Sequence, residues 1–181
     1  MRVTATKLDG VILLEHDIFP DNRGFFYECY NRKTWQQLGI SFEPVQENCS
    51  FSLHAGTVRG LHYQLQPHSQ AKAVRVITGS VFDVAVDLRK KSPTFGSWVS
   101  VILSEENNNT LYIPKGFAHG FCTLTPETRL SYLVDEFFAP EFERGVFWND
   151  TVLNIPWPVT NPVLSEKDNR YPLFASTEMN F

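Results

Sequence analysis

The sequence predicts an all-β sandwich or barrel that forms a single domain. Apolar residues alternate with polar or small residues along several short segments, the period-two pattern of strands with one buried face. Glycine and proline separate these segments, and only one segment has a firm helical pattern. The chain has 181 residues, of which 43% are hydrophobic. This length suits one domain with a substantial core.

The first regular element is a predicted helix over Asn31–Gly39. Asn31 can cap its N-terminus, and Trp35 and Leu38 share one face. Gly39 suits the position just after the C-terminus.

Three pairs of strands are predicted to follow. The first lies in AVRVITGSVFDVAVDLR, with Thr78-Gly79-Ser80 as the turn. The second lies in WVSVILSEENNNTLYIP, around the polar run Glu105–Asn109, and the third in FCTLTPETRLSYLV, around Pro126. From Pro156 onward, prolines favour loops and short helical turns that wrap over the barrel. We divide the domain into an N-terminal arm (about 1–45), a barrel core (about 46–150) and a C-terminal wrap (about 151–181).

Charge and hydropathy exclude two classes of protein. The net charge is −4 and the longest basic run is Arg89-Lys90-Lys91, so we expect no nucleic-acid partner. The only apolar run near the start, Val11–Leu14, is too short for a signal peptide or a membrane span. We expect a cytoplasmic protein without a membrane partner.

The cysteine count is odd and includes no C-x-x-C spacing. Cys29, Cys49 and Cys122 are therefore interpreted as reduced, mostly buried thiols of a cytoplasmic protein.

Two histidine-containing stretches, RGLHYQLQPHSQAK and IPKGFAHGF, carry the strongest chemical signal. Metal-binding barrels of the cupin type combine H-x-H and a glutamate with P-x-G-x-x-H. The second motif is present at Pro114–His119, but Gln64 stands where the first motif needs its second histidine, and no carboxylate follows His62 before Asp83. An amide is a poor substitute for imidazole as a ligand. We predict that the barrel signature is kept without a catalytic metal.

Without a metal, His62 is an acid–base candidate because imidazole titrates near neutral pH. Arg59 and Lys72 on the same segment could place positive charge at an oxyanion or a phosphate. His16, His54 and His68 are assigned structural roles.

Motifs over nearly the entire chain resemble the dTDP-4-dehydrorhamnose 3,5-epimerase family. They are DNRGFFYE, VQENCSFS, VRGLHYQ, QAKAVRVITGSVFDVAVDLRKKSPTFG, IPKGFAHGF, PEFERGVFWND, IPWP and LSEKD. The resemblance implies a cupin-like double-stranded β-helix, or jelly-roll barrel, with a few short helices. It also implies a homodimer in which N-terminal strands are exchanged.

The resemblance implies an epimerase that needs no cofactor, and the absence of G-x-G-x-x-G agrees with this. Its substrate would be a nucleotide-diphospho-4-keto-6-deoxysugar, most simply dTDP-4-dehydro-6-deoxy-D-glucose, and its product dTDP-4-dehydro-L-rhamnose. His62 would be the base and Asp168 its partner. Lys72 would stabilise the enolate oxygen, and Tyr132 would return a proton from the opposite face.

The resemblance also implies a set of substrate-binding residues that hold the diphosphate, nucleotide and sugar. They are Arg23, Arg59, Gln46, Asn48, Glu28, His119, Glu143, Lys167, Phe19 and Phe26. The side chain of His119 would in turn contact Asp83.

Other activities stay open at this point. Members of the family often carry Tyr-Lys where this chain has Tyr132-Leu133, and Tyr-Tyr where it has Phe137-Phe138. An epimerase that inverts only C3 or only C5 of a dTDP-, CDP- or GDP-deoxysugar is therefore an alternative. A metal-dependent cupin isomerase or oxygenase and a non-catalytic sugar-binding module are further alternatives.

Overall fold

The structure, a computed structural model, describes residues 1–181. It contains thirteen strands, which are β1 Arg2–Ala5, β2 Ile12–Glu15, β3 Phe19–Asp21, β4 Gly24–Phe26, β5 Gln46–Ser52, β6 Val58–Gln64, β7 Lys72–Thr78, β8 Ser80–Asp87, β9 Trp98–Ser104, β10 Thr110–Ile113, β11 Phe117–Thr123, β12 Thr128–Val134 and β13 Glu143–Gly145. One α-helix, α1 (Arg32–Gln37), and three short 3-10 helices (Pro140–Phe142, Asp168–Arg170 and Phe174–Ser176) complete the chain.

The strands form two antiparallel sheets and a separate hairpin. The six-stranded sheet has the order β1-β2-β10-β7-β12-β5, the five-stranded sheet has the order β13-β6-β11-β8-β9, and β3 pairs only with β4. From β5 to β12, every connection except β8–β9 passes from one sheet to the other. This alternation makes a double-stranded β-helix, and the predicted jelly-roll fold is confirmed.

The three predicted strand pairs are confirmed as β7–β8, β9–β10 and β11–β12. Each pair bridges the two sheets, so its turn is a corner of the barrel. At the first corner Gly79 has φ +81°, and a Cβ there would lie 2.4 Å from Thr125 Oγ1. Glycine is required at this corner because of both the backbone angle and the lack of space.

The predicted helix is confirmed, with its caps. The Asn31 side chain accepts hydrogen bonds from the backbone N–H groups of Lys33 (3.0 Å) and Thr34 (3.4 Å). Gly39 follows the helix with φ +82°. Trp35 is fully buried and stacks on Phe42 against the outer face of the six-stranded sheet. The helix is short, and its stability comes from this packing.

The apolar core has three parts. One cluster fills the space between the sheets and includes Val74, Val81 and Leu130. A second covers the outer face of the five-stranded sheet, where the C-terminal residues Trp157 and Phe174 pack. The third lies beneath α1. From residue 151 onward the chain has only loops, a single bridge and short 3-10 helices. The division into arm, core and wrap stays a prediction.

The cysteines correct one prediction. All three are free, but only Cys122 is buried, whereas Cys29 is half-buried and Cys49 is exposed. Cys49 lies on β5, the edge strand of its sheet, where alternate residues point away from the barrel. The expectation of mostly buried thiols was therefore wrong.

None of the helices has the length and hydrophobicity that a bilayer crossing requires.

Candidate active site

The two histidine-containing stretches lie on neighbouring strands of the five-stranded sheet. His62 on β6 is directly opposite His119 on β11 in the antiparallel register. Directly opposed residues of antiparallel strands project from the same face of a sheet. Both side chains therefore line one end of the barrel interior.

The six-stranded sheet supplies the groups across from these histidines. Lys72 is the first residue of β7, and Tyr132 lies on β12 directly opposite Asn48 of β5. Gln46, two residues from Asn48, shares the face of Asn48 because side chains alternate along a strand. Two sheets thus contribute polar side chains to the same space.

These groups surround one cavity with two connected parts, both of which are lined by His62, Lys72 and Tyr132. The inner part, of about 220 Å³, is also lined by Ser50, Arg59, His119, Phe121, Ser165 and Asp168. The outer part, of about 290 Å³, is also lined by Gln46, Asn48, Tyr63, Gln64, Gln70, Phe138 and Glu143. All four residues predicted to be catalytic line the inner part.

His62 forms a close pair with Asp168. The distance from His62 Nε2 to Asp168 Oδ1 is 2.5 Å, and the aspartate side chain is only 6% exposed. Asp168 begins a 3-10 helix, and its backbone N–H donates to Ser165 Oγ at 3.0 Å. A carboxylate that accepts from Nε2–H fixes the imidazole tautomer and leaves Nδ1 able to accept a proton.

Tyr171 packs edge-on against the His62 ring, with 5.5 Å between ring centroids. Its hydroxyl is buried and has no hydrogen-bond partner, and burial raises its pKa. Gly145 on β13 makes room for this ring, because a Cβ there would lie 2.6 Å from Tyr171 ring atoms. Sequence reasoning missed Tyr171, although its position three residues after Asp168 was an available signal.

His119 is held by a second buried carboxylate. Its Nε2 is 3.0 Å from both carboxylate oxygens of Asp83, which is fully buried. Burial lowers the pKa of His119, and the charge of Asp83 opposes that effect. Of the two aspartates in DVAVD, Asp83 is the interior partner, whereas Asp87 pairs with Arg89.

Burial also affects the cation and the phenol in the cavity. The side chain of Lys72 is enclosed, and burial lowers its pKa to about 8 although Asp83 and Glu143 act in the opposite direction. Burial raises the pKa of Tyr132 above its usual range, while the charge of Arg59 lowers it. At neutral pH the lysine is mostly charged and the phenol keeps its proton.

Three predicted substrate-binding residues line or border the cavity through ionic groups. The Arg59 guanidinium donates to Ser52 Oγ at 3.1 Å and to the Phe51 carbonyl at 3.0 Å. Glu143 lines the outer part and forms an ion pair with the more exposed Lys167. Arg59 thus places positive charge at the inner part of the cavity, whereas the charge of Lys167 is paired with that of Glu143 beside the outer part.

Five predicted binding residues do not line the cavity of their own chain: Lys167, which only borders it through Glu143, and four residues in or near the β3–β4 hairpin. Phe19, Arg23 and Phe26 lie on or between β3 and β4, and Glu28 lies just after them. Arg23 pairs with Asp21 at 2.6 Å, and Glu28 accepts from Asn31 Nδ2 at 2.9 Å. Their role in binding stays a prediction.

The structure gathers no group of three or more His, Cys, Asp or Glu side chains that could hold a metal ion. Gln64, at the position of the second histidine of the metal-binding motif, uses its side-chain amide for hydrogen bonds to backbone groups.

Comparison with known proteins gives the same family that the motifs indicate. Residues 5–176 match the family model described as dTDP-4-dehydrorhamnose 3,5-epimerase. A dTDP-4-dehydrorhamnose 3,5-epimerase from Shigella flexneri is 51% identical over 169 residues, which cover 93% of each chain.

Solved structures agree over almost the whole chain. The epimerase of this name from Bacillus anthracis, with TDP and PPi bound, is 51% identical with a TM-score of 0.94, and 95% of this chain and 98% of that chain are covered. The dTDP-6-deoxy-D-glucose-3,5-epimerase from Legionella pneumophila, in complex with dTDP-4-keto-L-rhamnose, is 45% identical with a TM-score of 0.91, and 95% of this chain and 92% of that chain are covered. This chain therefore belongs to the dTDP-4-dehydrorhamnose 3,5-epimerase family.

Proposed function

We propose that this protein is a carbohydrate epimerase that converts dTDP-4-dehydro-6-deoxy-D-glucose into dTDP-4-dehydro-L-rhamnose by inverting C3 and C5. Membership of the family supports the substrate. The observation that carries the chemistry is that His62, Lys72, Tyr132 and Asp168, drawn from both sheets and the C-terminal segment, line one cavity.

The substrate ketone at C4 makes the hydrogens on C3 and C5 acidic, because the carbanion left by proton removal is delocalised onto the oxygen as an enolate. His62 takes the proton on Nδ1, while Asp168 holds Nε2–H and stabilises the imidazolium that forms. The ammonium of Lys72 lies in a buried environment, where it stabilises the negative charge on the enolate oxygen more strongly than it would in water.

Inversion requires a proton from the face opposite the base. Tyr132 is suited to this step because it projects from the six-stranded sheet, whereas His62 projects from the five-stranded sheet. The phenol gives its proton to the carbon, and the C–H bond forms on the new face. Solvent then returns a proton to the phenolate and removes one from the imidazolium, so the enzyme is restored.

We assign substrate binding to groups around this centre. His119, held by Asp83, contacts the sugar, and Arg59 contacts the diphosphate. Gln46, Asn48 and Glu143 line the outer part of the cavity, and Lys167 is paired with Glu143. We assign these four residues to the rest of the nucleotide sugar.

We further propose a homodimer in which the β3–β4 hairpin of one subunit reaches the cavity of the other. This arrangement would bring Phe19, Arg23, Phe26 and Glu28 to the substrate. Three observations support it: the hairpin pairs with neither sheet, Phe19 is 59% exposed and Phe26 is 69% exposed. A cytoplasmic location fits the three free cysteines.

The test is NMR of the purified protein with dTDP-4-dehydro-6-deoxy-D-glucose in D₂O. We expect deuterium at both C3 and C5 and formation of the L-lyxo product. Deuterium at one carbon only would instead favour the single-centre epimerase. That activity is the second candidate because Leu133, Phe137 and Phe138 depart from the pattern common in the family. No deuterium at either carbon would contradict both.

A further inference from the structure

A short segment at the mouth of the cavity, Glu136–Ala139, carries two exposed aromatic rings, those of Phe137 and Phe138. We call this segment the lip. It follows β12 and precedes the 3-10 helix Pro140–Phe142, and it joins no sheet. Phe138 lines the outer part of the cavity although its side chain is half exposed. The ring therefore has one side toward the ligand space and little protein packing to fix its position.

Side chains of three glutamines hold the backbone of the lip instead. Gln70 Nε2 donates to the Glu136 carbonyl at 2.8 Å. Gln64 Nε2 donates to the Phe137 carbonyl at 3.2 Å, and Gln64 Oε1 accepts from the Ala139 N–H at 2.8 Å. Gln46 Oε1 accepts from the Phe138 N–H at 3.1 Å. Every residue of the lip thus has a backbone hydrogen bond to a glutamine amide.

Gln64 is the central member of this group. Its side chain is buried, and its amide nitrogen also donates to the His68 carbonyl at 2.6 Å. An amide supplies two donors and an acceptor, so one side chain can satisfy a carbonyl and an N–H of an irregular segment together. Gln64 lies two residues after His62 on β6. It therefore links the lip to the strand that carries the catalytic histidine.

We infer that Gln64 and Gln70 are positioning residues that hold the Phe138 ring at the cavity mouth and thereby set the affinity for the nucleotide part of the substrate. Their amides act on the backbone of the lip. None of the side-chain hydrogen bonds of Gln64 or Gln70 goes to the proton-transfer groups His62, Lys72 and Tyr132. The effect of either glutamine is thus exerted through Phe138, on binding. This inference rests on the proposed function for the identity of the ligand.

The decisive test is a double-mutant cycle on the affinity for dTDP, measured by calorimetry without any turnover. Gln64→Met keeps the length and volume of the side chain but removes its donors and acceptor. We expect Gln64→Met and Phe138→Ala each to weaken dTDP binding about fivefold to tenfold, and the double variant to bind no more weakly than Phe138→Ala alone. Additive losses, or wild-type affinity in Gln64→Met, would overturn the inference.

Steady-state kinetics separates positioning from a general structural role. Gln64→Met is expected to raise KM about fivefold to tenfold and to leave kcat within about twofold of wild type, because only binding is altered. A fall in kcat at unchanged KM would overturn the inference. Gln36→Met, a substitution of an exposed glutamine on α1, is the matched control and should leave both constants unchanged.

Gln70→Met provides the same cycle if Gln64→Met fails to fold, because Gln70 gives the lip only one hydrogen bond and is less buried. We expect Gln70→Met to weaken dTDP binding less than Gln64→Met does. Combined with Phe138→Ala, it should cause no further loss of affinity. Additivity would overturn the inference here as well. Wild-type protein that binds dTDP but exchanges no deuterium would contradict the proposed function alone, whereas the cycle would still decide the role of the glutamines. Failure of wild type to bind dTDP would overturn both.

Discussion

His62 and Lys72 line the same cavity from different sheets, and only His62 has a directly bonded carboxylate partner. The imidazole of His62 has a carboxylate partner, Asp168 Oδ1, at 2.5 Å. The ammonium has no such direct partner, and the carboxylates of Asp83 and Glu143 only partly offset its burial. Formation of an enolate requires a base that accepts a proton. It also requires a cation whose charge is not already neutralised by a partner.

Because Lys72 is buried, we expect activity to be limited at high pH. The active form of Lys72 is the ammonium, which is present below its pKa of about 8 and is lost as the pH rises through that value. We therefore expect kcat/KM to fall about tenfold per pH unit well above pH 8. A profile of kcat/KM between pH 6 and pH 10 measures this.

Lys72→Ala is the control for that profile. It removes the cation at every pH, so we expect kcat to fall by about 10²–10³. The decline of kcat/KM above pH 8 should then be absent. A wild-type profile that stays flat to pH 10 would contradict the assigned role.

At the scale of elements, the position of His62 depends on strand β13 and on the segment that contains Asp168 and Tyr171. Gly145 leaves the space that the Tyr171 ring occupies, and that ring packs against His62. The His62 ring is thus oriented by a hydrogen bond from one side and an aromatic ring from another. Neither contact is made by a residue near His62 in the sequence.

Gly145→Ala is predicted to displace Tyr171 and loosen His62. The added Cβ would lie 2.6 Å from the ring, and overpacking of this kind costs about 1–3 kcal/mol. We expect a lower free energy of unfolding in urea together with a lower kcat. Tyr171→Phe keeps the ring and removes only a hydroxyl that has no partner, so this variant should retain both stability and activity. Wild-type activity in Gly145→Ala would refute the positioning role of Tyr171.

The secondary-structure elements show how much of the fold could be predicted from the sequence. Period-two alternation and the turn signals at Gly79, Glu105–Asn109 and Pro126 located β7 to β12, and the Asn31 cap located α1, because these signals are local. Local signals do not specify which sheet a strand joins, so the exposure of Cys49 on an edge strand was missed. The pairing of His62 with Asp168 spans 106 residues and has no local signal. It was predicted only through the family resemblance, whereas Tyr171 and the roles of Gln64 and Gln70 at the lip were not predicted.

At the scale of the whole molecule, the site combines groups from both sheets and the C-terminal segment. Asp168 reaches His62 because the C-terminal residues pack over the outer face of the five-stranded sheet, with Trp157 and Phe174 buried there. The packing of this segment therefore brings Asp168 within hydrogen-bond distance of His62. The β3–β4 hairpin is different, because it stands apart from both sheets of its own chain.

Mixed dimers test the proposed exchange of hairpins. His62→Ala inactivates the cavity of its own subunit, and Arg23→Ala would impair the cavity of the other subunit. When the two variants are co-expressed, half of the dimers are mixed and one of the two cavities in each is intact. We therefore expect recovery of about one quarter of wild-type activity. The parent homodimers are the controls, and activity no higher than theirs would contradict the exchange.

The central claim is that His62, paired with Asp168, removes the protons beside the C4 carbonyl. The most direct measurement is the rate at which solvent deuterium enters C3 and C5 of the substrate, followed by NMR for wild type and for His62→Ala. The account predicts that His62→Ala lowers this rate by about 10²–10⁴ at both carbons while dTDP still binds. Deuterium entry at the wild-type rate in His62→Ala would contradict it.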